Sequence, residues 1–181
     1  MTTTTGRGSP VPTLTPIPTS QGTFLAGFSD LGLRVLRFPS PDVPPPTGAS
    51  APTADPRRRL LAAELEAYLR GELRGFSVPV HLCGTPFQLR VWQELLAIPY
   101  GCVRAYRDLA LALGRPTAAR AVGAAVGANP VPILVPCHRV LGSDGRLVGF
   151  AAGLGWKRRL LAIEAEGGRG AVAAAPPIRR R

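Results

Sequence analysis

The stretch "NPVPILVPCHRV", from Asn129 to Val140, joins an apolar run directly to a cysteine, a histidine and an arginine. Pro130, Pro132 and Pro136 fix φ and remove backbone donors, so the segment cannot be a regular central strand along its whole length. It is typical of a turn, a short buried segment and a fixed exit. Such rigidity suits a reactive side chain that must be held at one position.

Cys137 and His138 are the candidate reactive pair in this stretch. A cysteine in an apolar setting is most often an inert core residue, but an imidazole beside it can remove the thiol proton and hold a thiolate. Neighbouring side chains on an extended strand point to opposite faces. We therefore expect His138 to act from a turn or a helix start, or through a water molecule.

The last predicted helix, "LGWKRRLLAIEAE", adds a carboxylate. Glu164 and Lys157 lie three or four residues from Leu160 and Leu161 and share their buried face. A buried carboxylate is costly unless it is paired, and pairing with His138 would complete a Cys–His–Glu arrangement. The alternative is that Glu164 and Lys157 lie at the edge of the helix and pair with solvent or with each other.

The composition is that of a basic globular protein, with 45% hydrophobic residues among 181 and a formal net charge of +11. Five arginines lie in end segments without acidic residues; setting them aside lowers the charge from +11 to +6 for residues 23–166. This charge favours an anionic partner, nucleic acid first, although an arginine-rich solvated surface is the alternative. No apolar run suits a bilayer span and no secretory signal is evident, so a cytoplasmic protein without membrane contact is expected.

The cysteines and histidines favour neither a disulfide framework nor a metal site. Cys83, Cys102 and Cys137 are an odd number, and two histidines without a Cys-x-x-Cys pair do not suggest structural zinc. His81 and Cys83 share one face of a predicted strand, but two ligands do not make a site. We expect no metal.

Composition divides the chain into four segments. Residues 1–22 are predicted to be a disordered tail and residues 167–181 a disordered basic tail. Residues 23–83 are predicted to form an N-terminal α/β domain that contains a Pro-rich linker at 39–54. Residues 84–166 are predicted to form a mainly α-helical C-terminal domain.

The N-terminal domain is predicted to contain a small antiparallel sheet and one helix. A hairpin turns around residues 29–32, and "FSVPVHL" at 76–82 is a third strand candidate. Asp55 and Pro56 are typical of a helix N-cap and first helical residue. Helical spacing predicts the buried face of this helix, formed by Leu61, Leu65, Tyr68 and Leu69.

Three further helices are predicted before the reactive stretch. The first has Thr85 as its N-cap, and its apolar face is formed by Phe87, Val91, Leu95 and Ile98. The second runs from Tyr106 to Leu113, and the third is capped by Thr117. The second and third, separated by "GRPT", match the spacing of a helix-turn-helix, a pattern that is also common by chance.

The third of these helices, "AARAVGAAVGA", consists almost entirely of small residues and carries Arg120 as its one charge. One interpretation is a core helix packed closely on its neighbours. The other is a helix slim enough to enter the minor groove of DNA, which is about 6 Å wide, with one arginine projecting.

Five blocks resemble the O6-alkylguanine-DNA alkyltransferases in order and spacing: "GTPFQLRVW", "IPYG", "RAVGAAVGANP", "PCHRV" and "GLGWKRRLLAIE". The similarity covers residues 84–166 and, more weakly, 23–38. It implies a ribonuclease H-like N-terminal domain and irreversible transfer of the alkyl group from O6-alkylguanine, and from O4-methylthymine, to Cys137. Each molecule would act once, as a monomer without a cofactor, on the minor groove of alkylated double-stranded DNA.

The resemblance also implies a role for individual residues. Cys137 would be the nucleophile, His138 would act on it through a water and be held by Glu164, and Asn129 would brace the turn. Tyr106 would contact the phosphate at the flipped nucleotide and help to protonate guanine. Arg120 would fill the space that the nucleotide leaves. The other implied DNA contacts are Arg107, Arg115, Ser143, Ala119 and Gly123. The implied pocket residues are Pro132, Val140, Phe150, Ala151 and Lys157.

Three positions depart from the family pattern. Ala105 stands where a serine commonly caps the second helix, and Phe150 replaces a common tyrosine. Ala151-Ala152 replaces a loop richer in Ser and Gly, which predicts a narrower pocket and slower repair of O6-benzylguanine than of O6-methylguanine.

Three other functions compete with alkyl transfer. A lesion-binding protein without transfer would lack the reactive cysteine. A helix-turn-helix regulator would need base-reading polar residues, which Arg120 alone does not supply. A cysteine hydrolase would need an oxyanion hole and turnover.

Overall fold

A computed structural model of the chain describes residues 2–5, 12–40 and 55–168. In these ranges it contains five α-helices and three small sheets. The strands are β1 (Thr2–Thr5), β2 (Thr15–Thr19), β3 (Gly22–Ser29), β4 (Gly32–Arg37), β5 (His81–Gly84), β6 (Arg104–Ala105) and β7 (Val140–Leu141). The helices are α1 (Pro56–Leu69), α2 (Pro86–Leu96), α3 (Tyr106–Ala112), α4 (Ala119–Gly127) and α5 (Gly153–Gly168).

The N-terminal half contains the predicted antiparallel sheet, in the order β2-β3-β4. Its hairpin turns between Ser29 and Gly32, as predicted. Gly32 has φ of 147°, and a Cβ atom there would overlap the backbone carbonyl of Pro79, so only glycine fits this approach between the hairpin and the segment leading to β5.

The prediction of a disordered tail over residues 1–22 is wrong for two stretches. Residues 15–19 form β2, because Ile17 is buried in the core and the flanking Pro16 and Pro18 are tolerated on the edge strand of the sheet. Residues 2–5 form β1, which pairs in parallel with β5. Residues 6–11 lie outside the described ranges.

Helix α1 follows its local sequence signals. The Asp55 side chain accepts a hydrogen bond from the Arg57 backbone N–H at 2.9 Å, and the four residues predicted to be buried are those that the core contains. The strand predicted within 76–82 begins only at His81, because Pro79 cannot donate to a ladder. Residues 41–54 of the Pro-rich linker lie outside the described ranges.

Helix α2 begins with the predicted cap. The Thr85 Oγ1 accepts from the Gln88 N–H, and the Gln88 side chain accepts from the Thr85 N–H. The predicted apolar face is partly wrong: Phe87 is only half-buried, and Ile98 is buried but follows the end of the helix. The residues of α2 that are buried are Leu89, Val91, Trp92 and Leu95.

Helices α3 and α4 pack against each other and against α2. The Trp92 Nε1–H donates to the Ala125 carbonyl at 2.9 Å, which satisfies one of the free carbonyls in the last turn of α4. Thr117 is not the cap of α4, contrary to the prediction, because Ala118 occupies that position after a turn closed by its N–H to Arg115. Val122 faces the core and Arg120 faces solvent, so one side of this thin helix packs closely on its neighbours, as the first interpretation predicted, and its one charge projects from the other side.

Helix α5 continues to Gly168, two residues into the predicted basic tail. The remaining residues of that tail, 169–181, lie outside the described ranges. Every helix in the described part of the chain is too short or too polar to cross a bilayer.

Candidate active site

A braced turn positions Cys137. The Asn129 side chain donates to the Val135 carbonyl at 2.8 Å and accepts from the Val131 N–H at 3.0 Å. Between these two contacts, Ile133 has φ of 75°, a left-handed conformation that is strained for a β-branched residue. The chain therefore enters the reactive segment through a turn that the Asn129 amide holds closed.

Cys137 begins a 3-10 turn that ends at Arg139, which confirms that the cysteine and histidine do not lie on an extended strand. The exit from this turn is anchored, since Val140 pairs with Arg104 immediately before α3. Cys137 is buried, with 7% of its surface exposed. Burial raises its pKa, while the Asn129 side chain and the Lys157 charge act in the opposite direction.

His138 and Glu164 form the predicted pair. The Nε2 of His138 lies 2.8 Å from Oε1 of Glu164, and both side chains are buried. Burial lowers the pKa of His138 against the opposing effect of Glu164, so the ring is neutral. An ionised carboxylate only accepts, which assigns the ring proton to Nε2. The bare Nδ1 is buried and has no hydrogen-bond partner among the described residues.

Glu164 has two more side-chain partners that the sequence did not reveal. Arg139 contacts both carboxylate oxygens, with Nε at 2.9 Å from Oε2 and Nη2 at 2.8 Å from Oε1. The Tyr68 hydroxyl donates to Oε1 at 2.6 Å. Burial alone would raise the pKa of Glu164, but the hydrogen bonds from His138, Arg139 and Tyr68 lower it to about 2.

Arg139 could have been found from charge balance, because a neutral histidine leaves a buried carboxylate without a counter-ion. Tyr68 carries no such signal. Its position on the apolar face of α1 predicts a core residue, and only the packing of α1 against α5 places its hydroxyl on the carboxylate.

Lys157 lies on the same buried face of α5 but does not pair with Glu164. Its Nζ donates to the Val148 carbonyl at 2.7 Å and lies 5.9 Å from the ring centroid of Tyr106. Burial lowers the pKa of Lys157, and the nearby Cys137 opposes that shift. The alternative in which Glu164 and Lys157 pair with each other is therefore wrong.

A cavity of about 210 Å³ opens at Cys137. It brings together seven of the predicted site residues: Tyr106, Gly123, Asn129, Pro132, Cys137, Phe150 and Ala151. Phe38 also lines it and was not predicted; it belongs to an aromatic cluster with Phe24, Phe150 and Trp156. Val140 and Lys157, predicted as pocket residues, are fully buried and do not line this cavity.

The remaining predicted DNA contacts lie on the outside of the C-terminal half. Arg107, Arg115 and Arg120 are exposed, and Ser143 is exposed in the turn after β7. Ala119 is half-buried at the start of α4.

Burial raises the pKa of Tyr106, with Cys137 adding to the effect, so the Tyr106 hydroxyl keeps its proton. Within the described ranges no cluster of three or more metal-binding side chains occurs.

Comparisons with known proteins converge on one family. A family model described as "6-O-methylguanine DNA methyltransferase, DNA binding domain" matches residues 86–166. The chain is 53% identical over 102 residues to a methylated-DNA–protein-cysteine methyltransferase of Mycobacterium leprae, covering 56% of this chain and 62% of the relative. It is 50% identical over 113 residues to the protein of that name from Mycolicibacterium paratuberculosis, covering 62% and 68%.

A crystal structure of Mycobacterium tuberculosis OGT in complex with DNA superposes on the chain with a TM-score of 0.71 at 40% identity. That similarity covers 84% of this chain and 92% of the other. By sequence, the matched segment spans about three fifths of the length of the first curated relative.

Proposed function

The chain belongs to the methylated-DNA–protein-cysteine methyltransferase family, and we propose that it repairs DNA by moving the alkyl group of O6-alkylguanine irreversibly onto Cys137. One observation supports this proposal above all. Cys137 lies on the wall of a cavity of about 210 Å³, and the next residue in the chain, His138, forms a buried pair with Glu164. O4-methylthymine is the second substrate.

Activation of the thiol rests on the bare Nδ1 of His138. Because the Cys137 thiol is protonated in its buried setting, a base must take the proton before sulfur can attack. We assign that proton to Nδ1, through a water molecule, with the imidazolium stabilised by the Glu164 carboxylate. Asn129 holds the turn in which this transfer takes place.

The transfer step is a displacement at carbon. The sulfur of Cys137 forms a bond to the alkyl carbon, the bond from that carbon to O6 breaks, and its electron pair stays with guanine. Guanine then takes up one proton, for which the neutral Tyr106 hydroxyl on the cavity wall is the donor. The thioether that remains on Cys137 is not readily hydrolysed, so each molecule acts once. The transfer uses no cofactor, because the Cys137 sulfur itself accepts the alkyl group.

The base must leave the duplex, because the alkyl carbon is out of reach inside a stacked helix, at a cost of a few kcal/mol. We place the flipped base between Pro132 and Phe150, with the Ala151 N–H toward O6 and Lys157 near the reaction centre. Arg120 on the exposed face of α4 takes the vacated position in the minor groove. The other proposed contacts to DNA are Arg107, Arg115, Ser143, Ala119 and Gly123.

The finer architecture is part of this proposal. We assign α3 and α4 to a helix-turn-helix, supported by their mutual packing and by the match of a DNA-binding family model to 86–166. We assign residues 23–83 to a ribonuclease H-like N-terminal domain and residues 84–166 to the C-terminal domain for DNA binding and alkyl transfer. The protein works as a cytoplasmic monomer.

Intact-protein mass spectrometry tests the proposal. The protein is incubated with duplex DNA that contains a single O6-methylguanine, beside Cys137→Ser as control. We expect a gain of one methyl group that saturates at one per molecule and is absent in the serine variant. Binding without a mass gain would identify a lesion-binding protein instead, and repeated turnover without a modified cysteine would identify a hydrolase.

A further inference from the structure

We propose that Tyr68 is a positioning residue for the alkyl transfer, contributed by the N-terminal half to a reactive centre whose other members come from the C-terminal half. The inference rests on the proposed function. Tyr68 lies on α1, about 70 residues before Cys137 in the chain, yet its side chain is fully buried against the His138–Glu164 pair.

The Tyr68 hydroxyl contacts both members of that pair. Its oxygen lies 2.6 Å from Oε1 of Glu164 and 3.2 Å from Nε2 of His138. Glu164 is ionised and can only accept, so the hydroxyl proton is directed at the carboxylate. The lone pairs of the same oxygen then face the N–H of His138. The Nε2–H thus has two acceptors, and the Tyr68 oxygen adds to the preference that Glu164 sets for the tautomer with a bare Nδ1.

The hydroxyl is not needed to neutralise the carboxylate. Arg139 contacts both oxygens, and the Gly101 N–H donates to Oε2 at 3.0 Å. These bonds would remain without Tyr68. What would be lost is the second acceptor for His138, together with one donor that shares the negative charge of Glu164. The position of the hydroxyl against Nε2 therefore points to the base rather than to the ion pair.

The charged and titratable groups around His138 come from four elements. They are Glu164 and Lys157 on α5, Cys137 and Arg139 in the 3-10 turn, and Tyr68 on α1; Tyr100, in the segment after α2, lies against Tyr68 and Arg139. Removal of the Tyr68 hydroxyl has two opposing effects: the lost acceptor loosens a proton on His138, and the less shared charge of Glu164 holds that proton more firmly. The second effect should be larger, because the hydroxyl lies 2.6 Å from Glu164 and 3.2 Å from His138. As the pH falls, His138 should then become protonated, and stop acting as a base, at a higher pH than in the unmodified protein.

Tyr68→Phe tests the inference, with Tyr100→Phe as the matched control. Tyr100 packs on Tyr68 and lies against Arg139, but its hydroxyl donates to the Ile163 carbonyl and not to Glu164. Single-turnover methyl transfer is measured across pH for both variants, together with DNA affinity. For Tyr68→Phe we expect a rate about tenfold lower near neutral pH and an acid limb moved to higher pH, with unchanged DNA affinity. Tyr100→Phe should retain the rate and the profile.

Two results would overturn the inference: a Tyr68→Phe rate and profile equal to those of the unmodified protein, or a rate lowered equally at all pH values. The second result would indicate a structural role only. The nitrogen chemical shifts of the His138 ring provide a readout that does not depend on alkyl transfer. If the unmodified protein transfers no methyl group, the proposed function fails, and these shifts still decide: protonation of His138 at a higher pH in Tyr68→Phe, but not in Tyr100→Phe, supports the positioning role, and unchanged protonation refutes it.

Discussion

Arg139 and Glu164 form a buried ion pair in which the guanidinium bridges both carboxylate oxygens. The remaining guanidinium nitrogen, Nη1, donates to the Ile98 carbonyl at 2.6 Å, so all three nitrogens of Arg139 have acceptors. The charge of Glu164 is thereby balanced inside the protein, and the neutral His138 can use the carboxylate as a hydrogen-bond acceptor without supplying its counter-charge.

Glu164→Gln should be strongly destabilising. The substitution keeps the shape of the side chain but leaves the Arg139 guanidinium buried without a counter-charge, which costs about 3–5 kcal/mol when one member of such a pair is removed. The free energy of unfolding in urea provides the measurement. Glu166→Gln, at an exposed position on the same helix, is the control and should change the stability by less than about 0.5 kcal/mol. Equal losses for the two variants would refute this account of the pair.

The stability of the protein should fall in a defined acid range. The pKa of Glu164 lies at about 2 in the folded protein against an ordinary value of 4.5. Because the folded pKa is the lower one, the stabilisation is complete above about pH 4.5 and is lost as the pH falls toward 2. Urea midpoints measured across this range should decline less steeply in Glu164→Gln. A decline of the same steepness would assign the acid sensitivity to other groups.

Ala105→Ser should stabilise the protein. Ala105 is the N-cap of α3 in the extended conformation that capping requires, with φ of −84° and ψ of 152°, and its N–H already donates to the Asp108 side chain. A serine hydroxyl would add the missing reciprocal bond and contribute about 1 kcal/mol. Ala118→Ser is the comparison, because ψ at Ala118 is 18° and a hydroxyl there is poorly aimed. Thermal denaturation should separate the two variants, and equal gains would contradict the geometric argument.

The cavity should discriminate between alkyl groups by size. We expect slower transfer from O6-benzylguanine than from O6-methylguanine, because Phe38, Phe150 and Ala151 line a cavity of only about 210 Å³. Phe38→Leu should bring the rate with O6-benzylguanine closer to the rate with O6-methylguanine, because the substitution removes part of the cavity wall. Phe28→Leu is the control, since Phe28 lies on β3, contacts Arg57 and does not line the cavity. Equal rates with the two substrates in the unmodified protein would rule out a narrow pocket.

Arg120→Ala should slow repair of duplex DNA without affecting the chemical step. The side chain is exposed on α4 and is assigned to the space left by the flipped base. Without it, the cost of unstacking the base is no longer offset, and the rate of repair should fall by about tenfold or more. Transfer from the free base O6-methylguanine, which requires no flipping, should be unchanged. Arg158→Ala, exposed on α5, serves as control. An equal loss of transfer rate with duplex DNA and with the free base would contradict the assignment of Arg120 to base flipping.

Local signals in the sequence were sufficient for most of the helices. Asp55 and Thr85 cap their helices as predicted, because the residues that make a cap hydrogen bond lie within three positions of one another. The Thr117 prediction is wrong because a tight turn from Arg115 to Ala118 sets the start of α4 one residue later. Strand β1 was missed since its pairing partner lies almost 80 residues away, and a run of threonines contains no signal for such a contact.

Some residues of the reactive centre could likewise be predicted from local sequence signals, and others could not. Cys137, His138 and Glu164 could be predicted because the first two are adjacent and the third lies on a helical stripe. Tyr68 and Phe38 could not, because each acquires its role only when the N-terminal half packs against the C-terminal half. A periodic pattern shows that such a residue is buried and does not show which atom its polar end or ring will meet.

The two tryptophans of the chain differ in what they can report. Trp92 is enclosed in the core, and its indole N–H is bonded to Ala125. Trp156 is half-buried and lies 4.9 Å, between ring centroids, from Phe38, which in turn lines the cavity at Cys137. A change in the cavity that shifts Phe38 is expected to alter the surroundings of Trp156 directly, whereas Trp92 is linked to the cavity through α4, whose Val126 lines it. The intrinsic fluorescence of Trp156 is therefore expected to report an occupied or alkylated site without an attached dye.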